Sequence, residues 1–140
     1  MRTAALDFGK ARIGVAVADE LGVMAHPRPP IDAGNLRSAL AKIVAIAKDE
    51  EIGRFVVGLP ISLSGREGPA ADKARGFAQK VADATGCDVE LVDERLSTVE
   101  AARSLRDSGV SSRDARGKID GAAACVILQA WLDSRARRGT

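Results

Sequence analysis

The sequence predicts a layered α/β fold: a mixed five-stranded sheet, antiparallel over strands 1–3 and parallel over strands 4 and 5, flanked by helices. Two observations and one rule of strand connection predict it. Residues 3–8 and 12–19 read as two apolar strands joined by a turn containing Gly9 and Lys10, the pattern of an antiparallel hairpin. Two short apolar runs follow, at 55–59 and 89–92, separated by a stretch of helical character. Strands joined through helical crossovers run parallel.

Each element has its own reason. In the second strand Ile13, Val15 and Val17 alternate with small residues, and Gly9 and Gly14 permit close backbone approach. A third strand is expected around Val23-Met24-Ala25. The segment His26-Pro27-Arg28-Pro29-Pro30 follows it, and two consecutive prolines exclude a central strand there. Asn35 suits an N-cap, and Leu36, Leu40, Ile43, Val44 and Ala47 recur with helical spacing to about Glu51. Phe55-Val56-Val57-Gly58-Leu59 is a continuous apolar run of the kind found in buried strands, broken by Pro60. After a polar loop from Ile61 to Gly68, Pro69 opens a helix that ends at Thr85, with Gly86 as its stop. Val89–Val92 forms another strand, leading into Asp93-Glu94-Arg95. Ser97 or Thr98 caps a helix to about Ser108, and residues 111–117 are polar and basic enough for a loop. The last helix carries Ile119, Ala122, Ala123, Val126, Ile127, Ala130 and Trp131 as one stripe.

Composition narrows the function classes. A chain of 140 residues with 46% apolar content suits a single domain over residues 1–140 with a substantial core. No run of eighteen apolar residues and no signal-peptide layout is present, so a cytoplasmic protein away from membranes is expected. Cys87 and Cys125 have no metal-ligand spacing and read as reduced thiols. Charge is uneven: residues 1–94 hold 12 basic and 14 acidic side chains, residues 95–140 hold 9 basic and 5 acidic. A basic C-terminal third fits a polyanion partner, although a solvated surface would look the same. Aromatic residues are few (Phe8, Phe55, Phe77 and Trp131), so contacts to a nucleic-acid backbone are expected over stacked bases.

Three acidic positions stand out. Asp7 ends the first strand, Asp93 and Glu94 end the last, and Asp120 lies in the first turn of the final helix. Ligands collect at the carboxyl ends of strands in open α/β sheets. Carboxylates converging from separate elements suit Mg²⁺ or Mn²⁺, and paired ions of this kind assist phosphodiester hydrolysis. Plainer roles exist for each: a turn residue for Asp7, a partner of Arg95 for Glu94, a helix-start residue for Asp120. Strand alternation does not choose between Asp93 and Glu94. His26, the single histidine, sits among prolines and reads as structural or exposed. Gly58, Gly65 and Gly68 offer a backbone cradle for phosphate, without a Walker-type pattern.

Four segments carry a family resemblance. Asp7-Phe8-Gly9-Lys10-Ala11-Arg12-Ile13-Gly14, then Val57-Gly58-Leu59-Pro60 with Gly65, then Asp93-Glu94-Arg95-Leu96-Ser97-Thr98, then Lys118-Ile119-Asp120 through Leu132 resemble, in order, the motifs of the YqgF family. The resemblance implies an RNase H-like fold shared with Holliday junction resolvases, and a nuclease that matures the 5′ end of pre-16S rRNA. It implies Asp7, Glu94 and Asp120 as catalytic, metal-binding acids. Lys10, Arg12 and Arg95 become the groups expected to meet substrate phosphate, the two arginines as motif residues. Ser62, where the family commonly has Asn, and Asp19, where it commonly has Ser, depart from the pattern without touching the acids.

The leading expectation is therefore a metal-dependent endonuclease using Mg²⁺ or Mn²⁺ on pre-rRNA, in contact with ribosomal particles. A Holliday junction resolvase on branched DNA is the first alternative. A non-catalytic nucleic-acid-binding module is the second. A sugar-kinase-like ATPase fits the hairpin but not the length, since such proteins clamp nucleotide between two domains. Either a monomer or a homodimer is compatible; a resolvase needs a symmetric pair of sites.

Overall fold

The computed structural model describes residues 1–62, 64–96 and 119–139. The strands β1 (Arg2–Phe8), β2 (Arg12–Ala18), β3 (Ala25–Asp32), β4 (Ile52–Leu59) and β5 (Asp88–Asp93) form one sheet in the order β3-β2-β1-β4-β5. Pairing is antiparallel for β1–β2 and β2–β3, and parallel for β1–β4 and β4–β5. The mixed pattern is the expected one. Helices α1 (Leu36–Asp49) and α2 (Pro69–Thr85) cover one face, and α3 (Ile119–Gly139) covers the other. The helix expected at 97–108 and the loop at 111–117 lie outside the described residues.

Local chemistry sets the helix ends. The Asn35 side chain accepts a hydrogen bond from the Ser38 amide at 3.0 Å and caps α1. This helix stops at Asp49 rather than Glu51, because Glu50 already serves as its C-cap and Glu51 takes a positive φ of 55°. Pro69 opens α2, and Gly86 closes it in the left-handed conformation. β4 begins at Ile52, earlier than its apolar run suggests, since Gly53 and Arg54 continue the strand beside β1.

Two expectations need correction. The third strand is not centred on Val23-Met24-Ala25; it spans Ala25–Asp32 and contains all three prolines. Prolines are tolerated because β3 is an edge strand, with one side needing no donors. The pairs Ile13↔Ile31 and Val15↔Arg28 leave one extra residue in β3, so the Pro29-Pro30 step is a bulge. The stripe of α3 is also rotated from the one expected. Ala123 is exposed and Val126 and Ala130 are half-buried, whereas Ala124, Cys125, Ile127, Leu128, Trp131 and Leu132 are buried.

The reason for the rotation is a polar residue. Residues 122–128 are apolar all round, so periodicity alone selects no unique face. Gln129 is 1% exposed and selects it. Its Oε1 accepts from the Ala25 amide at 3.0 Å, and its Nε2 donates to the Val23 carbonyl at 2.9 Å and to Asp133 at 3.0 Å. The amide thus fixes α3 against the start of β3. Trp131 adds a second anchor, donating from Nε1 to Glu90 at 3.0 Å. Among the described residues no helix is long and apolar enough to cross a membrane. Cys87 and Cys125 are not joined in a disulfide.

Candidate active site

Strand alternation aims the first acid. On β1, Leu6 and Phe8 pack toward α1 and α2, so Asp7 between them points to the α3 face. Asp7 pairs in register with Gly14 on β2. On its other side Leu6 pairs with Val57, which sets Gly58 beside Asp7. The carboxylate therefore stands between two residues that have no side chain.

The second acid comes from the far side of β4. β5 ends at Asp93, and Glu94 opens a single 3-10 turn, Glu94–Leu96. With β4 between them, β1 and β5 lie roughly 10 Å apart, two strand spacings. Glu94 nevertheless hydrogen-bonds Asp7. Gly58 makes this reach feasible: a Cβ built there would lie 2.6 Å from Glu94 Oε1 and 2.8 Å from Ile127 Cδ1. Any other residue would push the Glu94 carboxyl and the tip of Ile127 aside. Gly58 thus acts as a gap for a side chain, not as part of a phosphate cradle. Its signal in the sequence was a glycine inside a buried apolar strand, a mark of close approach.

The electrostatics of the pair follow from this geometry. Burial, then the Asp7 charge and the hydrogen bond to it, then the Asp93 charge, push the Glu94 carboxyl up from 4.5 to about 6. A hydrogen bond between two carboxyl groups needs a proton on one of them. Asp93 behaves differently. Its Oδ1 accepts from the Arg95 amide at 2.9 Å, and its Oδ2 takes the Arg95 guanidinium at 2.7 Å. The hydrogen bonds from Arg95 hold the Asp93 carboxyl below the usual range. The neighbouring acids thus face different partners: Glu94 meets Asp7, and Asp93 meets Arg95.

The remaining predicted residues lie around this pair. Arg95 is exposed, and its Nη1 would sit 3.8 Å from a Cβ on Gly65, so its guanidinium borders the 61–68 loop. Lys10 is exposed in the β1–β2 turn, and Arg12 is exposed at the start of β2. Asp120 lies in the first turn of α3, the helix packed over the Asp7 face, and its side chain is outside the described set. Among the described residues no group of three His, Cys, Asp or Glu forms a metal-binding cluster. The donors that are described, two carboxylates in contact, suit a hard divalent cation: it would replace the shared proton and remove the repulsion between two ionised groups. His26 is exposed on β3, in line with its structural reading.

Comparison with known proteins agrees with the fold and the motif order. The family model described as "RuvX: Holliday junction resolvase" matches residues 1–134. A protein of Anaeromyxobacter dehalogenans named "Putative pre-16S rRNA nuclease" is 51% identical over 97% of this chain and 99% of its own length. One of the same name from Myxococcus xanthus is 45% identical over 96% of this chain and 89% of its own. Among solved structures, T. thermophilus RuvC in complex with a Holliday junction substrate superposes with a TM-score of 0.62 at 17% identity, over 100% of this chain and 97% of that one. The fowlpox virus Holliday junction resolvase gives 0.56 at 12% identity, over 96% and 99%. With a RuvC-like, RNase H-type sheet beneath its paired carboxylates, the chain belongs to the RuvX (YqgF) family of Holliday junction resolvase-like nucleases.

Proposed function

We propose that residues 1–140 act as one nuclease domain, a metal-dependent endonuclease that cleaves phosphodiester bonds in maturing the 5′ end of pre-16S rRNA. The observation that carries this reading is the Asp7–Glu94 carboxyl pair, held in contact across Gly58 at the carboxyl ends of β1 and β5. Curated relatives matched over nearly the whole chain carry the pre-16S rRNA nuclease name. Asp7, Glu94 and Asp120 would hold Mg²⁺ or Mn²⁺. Bound there, the cation supplies water activation and charge neutralisation at the phosphoryl oxygens.

The chain's own groups have separate tasks. Asp7 is presented by a strand, with Gly14 on one side and, on the other, Gly58 leaving the room through which Glu94 reaches it. The Glu94 carboxyl, pushed up to about 6 by burial and by Asp7 beside it, gives up its proton as the pH approaches neutral. Lys10 and Arg12 extend from the turn at the same end of the sheet and offset phosphate charge. Arg95 is oriented by Asp93, which fixes its guanidinium plane for a second phosphate contact.

A second reading, resolution of branched DNA, is favoured by the family description and by the likeness to a RuvC fold. The deciding experiment presents a pre-16S rRNA fragment and a four-way DNA junction to the purified protein with Mg²⁺ or Mn²⁺, alongside Asp7→Asn. Loss of a carboxylate ligand is expected to cost several kcal/mol of barrier lowering, roughly a thousandfold in rate. Cleavage of the RNA by wild type alone supports the proposal. Cleavage of the junction alone transfers it to the resolvase reading. Unchanged cleavage by Asp7→Asn removes the mechanism, and RNA binding with no cleavage of either substrate leaves a binding module.

A further inference from the structure

We propose that the groove along α2, bounded by the β1–β2 turn and the first residue of α1 on the sheet face opposite α3, is a second nucleic-acid-binding tract. It would hold the phosphodiester backbone of the strand that flanks the cleaved bond. This inference takes its starting point from the nuclease reading of Asp7 and Glu94, and extends it to a surface those acids do not use.

The groove has a volume of about 740 Å³, and Phe8, Lys10, Leu36, Lys73, Phe77 and Lys80 line it. Three of its lining residues are lysines and none is acidic. Lys73 and Lys80 are seven residues apart on α2, two turns along one face, which separates their backbones by about 10 Å along the axis. Gly76 lies between them; a Cβ there would meet nothing within 4 Å, so the space between the lysines is open. Phe8 and Phe77 stack at 4.4 Å with an interplanar angle of 14° and give the groove a fixed floor.

Position ties this surface to the acids. Phe8 follows Asp7 directly on β1 and points to the other face, and Lys10 sits in the turn that follows. Leu36 and Pro69 begin their helices at the same end of the sheet, since β3 and β4 both run parallel to β1. The groove therefore starts at the same end of the sheet as the carboxylates, on the opposite face, and runs along α2 toward Lys80. None of the three lysines is ion-paired with a described residue, whereas Arg75 on the same helix is tied to Glu67 at 2.8 Å. A row of exposed ammonium groups above an apolar floor suits a chain of phosphates. The Phe8 ring already has one face against Phe77, so backbone contact is favoured over base stacking.

The test is fluorescence anisotropy of a labelled single-stranded RNA over a range of KCl concentrations without divalent metal, with cleavage assayed in parallel. The Lys73→Ala/Lys80→Ala protein is expected to bind roughly tenfold more weakly at low salt. Its slope of log affinity against log salt should be shallower by about 1.4, two contacts at about 0.7 each. Lys73→Arg/Lys80→Arg should bind as wild type. Lys42→Ala/Lys48→Ala, the same charge change on exposed positions of α1 outside the groove, should also bind as wild type. An unchanged slope in the groove variant, or an equal loss in the α1 variant, overturns the proposal. Failure of wild type to cleave either substrate, with lysine-dependent binding intact, overturns the nuclease reading and leaves the groove standing. Cleavage with lysine-independent binding overturns the groove alone.

Discussion

On the face covered by α1 and α2, β1 and β4 present Leu6, Phe8, Phe55, Val57 and Leu59. On the face beneath α3 the same strands present Ala5, Asp7, Val56 and Gly58, and β2 adds Gly14 and Ala16. The first face is built of large side chains that interlock with Ile43, Phe77 and Val81. The second is built of small ones. Bulk on one side gives the sheet its stability, and the lack of bulk on the other leaves room for two carboxyl groups to meet across a strand. Two chemically opposed demands, close packing and an open polar site, are separated onto opposite faces by the period-2 alternation of the strands.

Mutations on the two faces should separate these demands. Phe55→Ala removes a fully buried ring from the α1/α2 face and is expected to cost about 3–5 kcal/mol of stability. Below its lowered melting temperature, kcat should stay near wild type; a large kcat loss in folded protein would mean that the faces are not independent. Gly58→Ala works the other way. Its new methyl group collides with Glu94 and Ile127, so a displacement near 1 Å should reduce kcat by roughly a hundredfold, about 2.7 kcal/mol. Wild-type activity in that variant would show that contact between Asp7 and Glu94 is dispensable.

Smaller effects probe how α3 is held above its face. Gln129→Leu keeps the side chain buried but strips the partner from the Ala25 amide and the Val23 carbonyl, and about 1–3 kcal/mol should be lost in chemical denaturation. A neutral result would assign the rotation of α3 to apolar packing alone. The smallest effect concerns Glu94. Because its folded pKa is raised from 4.5 to about 6, its contribution is fully present below pH 4.5 and is lost as pH rises through 6. In metal-free buffer Glu94→Gln should match wild type at low pH and become the more stable protein between pH 4.5 and 6. The difference cancels the opposite trend of Asp93, whose lowered pKa stabilises at higher pH and weakens on acidification. A melting-temperature gap that is constant across this range would contradict the coupling of Glu94 to Asp7.

Much of this arrangement was legible in the residues. The hairpin, the Pro69 start and Gly86 stop of α2, the Asn35 cap of α1 and the placement of acids at strand ends all follow from near-neighbour chemistry. Such features are set within a few residues by hydrogen-bonding groups, prolines and glycines. The motif order supplied the family and the order of elements supplied the sheet pattern, and the family match and the fold comparison agree with both.

Features that depend on distant partners were decided only by the assembled chain. The prolines of β3 read as a loop until the strand takes an edge position, where one row of donors is not needed. The apolar run of α3 leaves its rotation open until Gln129 finds the backbone of residues 23 and 25. Asp93 and Glu94 look equivalent in sequence, and the 3-10 turn at the end of β5 gives one to Arg95 and the other to Asp7. The sequence by itself determined the β1–β2 hairpin, α1, α2, β4, β5 and the presence of α3, and which carboxylates stand at the strand ends, because those choices rest on local propensity and alternation. Only the tertiary structure decided which carboxylates touch. That contact spans three strands, and it depends on a glycine whose importance lies in the side chain it lacks.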